Sequence, residues 1–261
     1  MTERTATLLN PQEGEPTVHD SHIGGPLLWP ADDPWPACEH PHMVHHETLL
    51  PSRDISFGKL RKQFYFFTGT SSKPDGTYAV HYEPTEHEPN PLVSIAQLYA
   101  RDIPDLVCPP GTDMLQVLWC PNEHELDDGW SPFVVLRWRD SASVMEVLED
   151  PPSPHAVDED WSLMPKPCAL HPTRTTDRAW ADGEDNEGRI APGWKVGGYA
   201  KWGVTDELPT DCDGCGGPTE LLITIDSEES DETDIEVGRY GALRLFVCRR
   251  CEGMPFRFDI Q

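Results

Sequence analysis

Two Cys-x-x-Cys pairs near the carboxyl end constrain this chain more than any other feature: Cys212-Asp213-Gly214-Cys215 and Cys248-Arg249-Arg250-Cys251. They frame two apolar runs, residues 221–225 and 243–247. A two-residue gap lets both thiolates of a pair turn onto one ion at about 2.3 Å, so the pattern predicts a four-cysteine zinc site built from two knuckles. Gly214, Gly216 and Gly217 relax the backbone where it must wrap tightly around the metal. The competing account is four thiols that are merely buried or joined as disulfides.

The compartment bears on that choice. Residues 1–9 hold no apolar signal core, and no run approaches the ~20 apolar residues of a membrane helix. A soluble, cytoplasmic protein is the expectation. Thiols stay reduced there, which favours metal over disulfide. The formal net charge is −26 at pH 7. Such a surface repels phosphate backbones and so argues against general nucleic-acid binding. It attracts a basic protein or peptide, and it also simply keeps a protein soluble.

Residues 1–20 are polar and aperiodic, and are expected to be a flexible amino-terminal segment. The prolines from His22 to Cys38 exclude helix and central strand, which predicts an irregular wall pinned by Trp29 and Trp35. Residues 63–67 and 77–82 read as a hairpin about the turn Pro74-Asp75-Gly76. Residues 92–98, 114–120 and 133–138 read as strands, the second with an alternation that implies one buried face. Residues 100–106 read as a helical turn, and 141–149 leave strand and helix both open. Residues 151–193, rich in Pro, Asp and Glu, read as an acidic connector that touches the body through Trp161 and Trp180. The acid block 227–234 is expected to be solvated, and the alternating run 256–260 to close a sheet edge.

The two ends of the chain can be laid over one another. Ile23-Gly24-Gly25 matches Val196-Gly197-Gly198, and Gln97-Leu98 matches Thr224-Ile225. The strand ending at Cys120 matches the one ending at Cys248. Cys38, His42, Cys120 and His124 then become a mixed counterpart of the four-cysteine set, and zinc accepts both ligand types. His40 could replace His42; the alternative is a surface cluster of His40, His42, His45 and His46 beside two buried thiols. Cys108 and Cys168 read as lone buried thiols, since a Cys168–His171 catalytic pair lacks an evident orienting group. The predicted class is mainly β (β-rich α+β): two pseudo-repeats of antiparallel strands with zinc-knuckle loops. The first repeat covers 21–150 with an inserted hairpin, the connector 151–193, and the second repeat 194–261.

At these residues the chain resembles a known group. Gly24-Gly25-Pro26 with Trp29-Pro30, the strand end Ala96-Gln97-Leu98 followed by Ile103-Pro104, and Lys195-Val196-Gly197-Gly198-Tyr199 look like the YwqG-like family, a bacterial domain of unknown function. The likeness runs over most of residues 21–260. The tail from Lys195 to Cys251 is also similar to the carboxyl-terminal domain of eukaryotic programmed cell death protein two. The first resemblance implies a β-rich, two-repeat fold with no agreed activity. The second implies escort of a basic ribosomal protein, which suits a negative surface. The chain departs from the pattern at Thr224, where Gln is usual.

Three functions follow as expectations. One is a zinc-stabilised, chaperone-like module for a basic protein. Another is an immunity or antitoxin protein that masks a basic toxin. The last is a zinc-dependent hydrolase, in which one of Cys38, His42 or His124 leaves a position to water and Glu39, Glu123 or Glu125 acts as base. No nucleophile elbow, phosphate loop, dinucleotide fingerprint or His-Glu-x-x-His occurs, so no catalytic residue is assigned and the reading leans away from an enzyme.

Overall fold

The fold is that of a computed structural model, which describes residues 1–40, 42–43, 46–63, 67–82, 85–86, 89–126, 129–157, 162–179, 189–202, 210–238 and 240–261. It is mainly β, as expected, with antiparallel sheets. The early strands are β1 (Thr2–Leu8), β2 (Pro11–Glu13), β3 (His22–Ile23), β4 (Ala37–Cys38), β5 (His42–Met43) and β6 (His46–Pro51). After α1 (Phe57–Gln63) come β7 (Phe67–Ser72), β8 (Thr77–Tyr82), β9 (Thr85–Glu86), β10 (Asn90–Pro91), β11 (Val93–Tyr99), β12 (Met114–Leu126) and β13 (Gly129–Arg139). The later strands are β14 (Cys168–Leu170), β15 (Thr173–Ala179), β16 (Lys195–Gly197) and β17 (Glu220–Asp226); after α2 (Ser230–Thr233) come β18 (Ala242–Val247) and β19 (Phe256–Ile260). No described helix is long and apolar enough to cross a membrane.

Two six-stranded sheets dominate, in the orders β13-β12-β11-β3-β14-β2 and β19-β18-β17-β16-β1-β15. Their registers match. Ile23 faces Ala96 and His22 faces Gln97, while Val196 faces Ile223 and Lys195 faces Thr224. Gln97 then faces Gln116, and Thr224 faces Arg244. Each β11-type strand even carries its irregularity at the same place, between Ser94 and Ala96 in one sheet and Leu221 and Ile223 in the other. The first strand of each chain half crosses over. β1 lies between β15 and β16, and β14 lies between β2 and β3. The crossovers meet at two similar tripeptides, Leu9-Asn10-Pro11 and Leu170-His171-Pro172, where the His171 N–H donates to the Leu9 carbonyl at 2.9 Å.

This exchange corrects the expectation of a loose amino end. Thr2–Leu8 is an interior strand of its sheet, because Ala6, Thr7 and Leu9 have buried places there. It corrects the connector as well: β14 and β15 fall inside 151–193 and complete both sheets. Trp161 and Trp180 lie outside the described residues.

The inward faces of both sheets share one core. Ile23, Ile95, Leu98, Leu115, Val117 and Trp119 from one join Val196, Ile223, Ile225, Leu243, Leu245 and Val247 from the other. The alternation over 114–120 implied one buried face, yet every residue from Met114 to Cys120 is inaccessible. The opposite side of β12 is covered by the proline-rich wall, with Leu27, Trp29 and Cys38 against Leu118 and Cys120. Trp29 and Trp35 do pin that wall, at 4.9 Å between ring centroids.

The inserted hairpin is present, with its second strand at Thr77–Tyr82 as expected and its first starting four residues later than expected. β7 starts at Phe67, Gln63 ends α1, and residues 64–66 lie outside the described set. β8 also pairs with β6, making a three-stranded sheet. Residues 141–149 are a short 3-10 turn followed by irregular chain. The acid block 227–234 is not fully solvated. Ser227 and Thr233 are buried, and the Glu229 carboxylate accepts the Trp194 N–H at 2.8 Å. β19 closes a sheet edge beside β18, as its alternation implied.

Candidate metal centres

The sheets bring together two groups of four donors. Cys38, His42, Cys120 and His124 form one, and Cys212, Cys215, Cys248 and Cys251 the other; within each, the donor atoms lie no more than 4.8 Å apart. Either group can hold a metal ion.

In the first group Cys120 and His124 come from β12, Cys38 from β4 and His42 from β5. β4 is placed by its pairing with β10, which sets Cys38 opposite Asn90. Cys38 Sγ lies 3.5 Å from His124 Nε2. A tetrahedral ion with bonds of about 2.3 Å to sulfur and 2.0–2.1 Å to nitrogen requires an S···N edge of about 3.5 Å. His42 is fully buried, and neither ring nitrogen has a hydrogen-bond partner among the described residues. A buried imidazole normally finds one, so this ring has the environment of a ligand. Burial pushes its pKa down and keeps it neutral, the form that binds metal. His40 packs beside His124 and Phe133 and is not among the four. His45 lies outside the described residues.

Two asparagines support this group, and the sequence reading missed both. Asn90 Nδ2 and Asn122 Nδ2 stand 3.7 and 3.6 Å from Cys120 Sγ, and each also donates to the Ala156 carbonyl. Asn90 Oδ1 accepts the N–H groups of His155 and Ala156. The Cys120 thiol is held far below its usual pKa by its hydrogen bond with Cys38, against the pull of burial, and further by His124 and Asn122. The available signal was Asn122 two residues after Cys120, the place of a metal-knuckle donor.

The second group sits at the surface. Cys248 and Cys212 are buried, Cys251 is half-buried and Cys215 is exposed. Cys212 and Cys251 sulfurs are 3.9 Å apart, and Cys215 and Cys248 sulfurs 3.6 Å. Disulfide sulfurs stand at about 2.05 Å, whereas thiolates on one tetrahedral ion stand at about 3.8 Å. All eight cysteines are free. The Cys248 thiol is lowered to about 7, first by the Arg250 N–H and also by the Cys251 N–H, which point at its sulfur as in a metal knuckle. The tight turn uses Gly216 at φ +62°, and at Gly217 a Cβ would collide with the Arg250 guanidinium.

The remaining candidates separate from these groups. Cys168 Sγ donates to the Glu232 carbonyl at 3.2 Å, and burial raises its pKa. The other carbonyl that Cys168 Sγ meets is that of Lys166, and among the described residues it forms no pair with His171, whose backbone N–H donates to Leu9. Burial raises Cys108 to about 11. Of the carboxylates considered as bases, Glu39 is exposed, and the Glu125 side chain lies outside the described set.

The Lys-Val-Gly-Gly-Tyr motif has a structural account. Lys195 Nζ pairs with Asp177 at 2.7 Å, both fully shielded. The carboxylate also accepts the Ala191 and Tyr199 N–H groups. Gly198 has φ +75°, and a Cβ there would run into the same carboxylate. Asp177 was not legible as the partner, because it lies in the stretch read as connector. Comparisons with protein-family models, curated proteins and solved structures returned no match.

Proposed function

We propose that the chain is a zinc-braced module that receives a basic protein, with one structural zinc in each four-ligand group. The observation that carries this reading is that each group supplies four donors and no fewer, the number that closes a tetrahedral site and leaves none for catalysis. With Cys38, His42 and Cys120 fully buried and His124 at 5% exposure, substrate and water are kept from the first group, which weighs against the hydrolase. Eight free thiols fit a reducing, cytoplasmic setting. The matched strand registers and the crossing of β1 and β14 support two copies of one unit, as the YwqG-like resemblance implies. The charge of −26 suits a cationic protein and opposes nucleic acid.

Metal analysis of the purified chain tests the brace, and capture from lysate tests the partner. Two zinc ions per chain, and capture of basic proteins that fades as salt rises, are the expected results. No bound metal, or binding indifferent to salt, overturns the reading.

A further inference from the structure

A polar row crosses the outer side of each large sheet. In the first sheet it runs through His22, Gln97 and Gln116, and there it is closed. Gln97 Oε1 accepts the Leu28 N–H at 2.7 Å and Gln116 Nε2 at 2.9 Å. Gln97 Nε2 donates to the Val18 carbonyl, and Gln116 Nε2 also reaches the Leu28 carbonyl. An amide oxygen thus sits at the centre of the row with two donors aimed at it.

The second sheet places Lys195, Thr224 and Arg244 at the same registers. Arg244 Nη1 reaches the Lys201 carbonyl at 2.6 Å, as Gln116 reaches that of Leu28, and Nη2 pairs with Asp259. Thr224 is too short to supply the oxygen that Gln97 supplies. Among the described residues, Arg244 Nε and Thr224 Oγ1 are left buried without partners, in residues 1% and 7% exposed. A pocket of about 180 Å³ opens at this place, lined by Lys195, Lys201, Thr224, Asp226, Tyr240 and Arg244. Burial of a donor with no acceptor is costly, and the cost is larger for a charged group. Burial also lowers the Arg244 pKa to about 10.

The geometry points to this pocket as a binding site for a small carboxylate, whose oxygen takes the place that the Gln97 carboxamide oxygen fills in the first sheet. Arg244 Nε and Thr224 Oγ1 are its donors, and the Lys201 ammonium favours the negative form, the Lys195 charge being spent on Asp177. Asp226 and Glu228 also line the pocket. The Asp226 carboxylate already accepts the Gly193 and Glu228 N–H groups. It remains a partner for a ligand's ammonium, so an amino-acid-sized molecule with both charges is the best fit. The site is independent of the metal groups and of any protein partner.

The test is calorimetric titration of the metal-loaded full chain with L-glutamate, succinate and the dication putrescine. Glutamate is expected to bind saturably, succinate more weakly, and putrescine not at all. Thr224→Gln should restore the closed row and weaken glutamate by about tenfold or more, with circular dichroism and metal content unchanged. Thr224→Val, which keeps the shape and deletes the hydroxyl, should weaken it by about threefold to tenfold and serves if the Gln variant misfolds. The inference is overturned if neither carboxylate binds up to roughly 10 mM, if putrescine outcompetes them, or if both Thr224 variants bind glutamate as the parent does.

Discussion

The two four-donor groups, one with Cys120 in β12 and the other with Cys248 just past β18, are protected in different ways. The Cys38–His42–Cys120–His124 group is buried and gripped by Asn90, Asn122 and the 155–156 backbone. The four-cysteine group is held by its own two turns, with Cys215 open to solvent. A first brace tied into the interior and a second that is local should fail differently. The largest effect is expected from the ligands themselves. Structural zinc contributes ~10 kcal/mol or more of apparent binding energy in small domains. Cys248→Ser should therefore release one metal equivalent and unfold the β17–β18 region, read by metal analysis and circular dichroism. Cys120→Ser should do the same from the interior and destabilise the whole chain. Cys108→Ser, which alters only packing, should cost ~1–2 kcal/mol. Equal losses from Cys108 and Cys248 would break the metal assignment. A chelator should also strip the exposed group first, giving two phases of release.

The outer rows differ in a second way. Where the first sheet has the buried neutral ring of His22, the second has a buried ion pair, Lys195 with Asp177. Lys195→Met leaves the Asp177 carboxylate charged and unmatched, and should cost ~3–5 kcal/mol in urea denaturation. His22 should act through pH instead. Burial lowers its pKa from 6.5 to about 4, while its Nδ1 accepts the Gly25 N–H and its Nε2 donates to the Pro26 carbonyl. The folded ring resists a proton that the unfolded chain takes up. Its contribution is complete above pH 6.5 and is lost as pH falls from 6.5 towards about 4, amounting to at most ~3 kcal/mol. His22→Gln should flatten that part of the stability–pH curve, and an unchanged slope would show that the ring does not carry it.

Short-range chemistry was readable in the sequence. The spacing of thiols and imidazoles, the Gly-Gly turns and the apolar strands all report local requirements, and the registers of β11–β12 and β17–β18 follow from them. What stayed hidden depends on distant chain. β1 has a polar composition because Thr5 and Thr7 spend their hydroxyls on Asp105, far along the chain. Thr173–Ala179 reads as connector because its acid, Asp177, is neutralised by Lys195 only once β1 has slipped between their strands. The alternation in β12 could not reveal that a proline-rich wall covers its second side. Asn90 carries no spacing rule that marks it as the support of a sulfur ligand, and Asn122 carries only its place two residues beyond Cys120.

Those asparagines allow the finest test of the two braces. In the first group the donor two residues beyond Cys120 is the Asn122 side chain, 3.6 Å from the sulfur. At the corresponding position beyond Cys248 stands Arg250, whose backbone N–H serves the sulfur while its side chain is exposed. Asn122→Ala removes the donor and leaves the Ala156 carbonyl without one of its partners, and should weaken metal binding at the first group by about 10–100-fold. Arg250→Ala keeps the N–H and should leave the second group within about threefold of the parent. Competition against a chelator of known affinity measures both. If the two substitutions weakened their groups alike, support of the sulfurs would not divide between a side chain in the interior and the backbone at the surface.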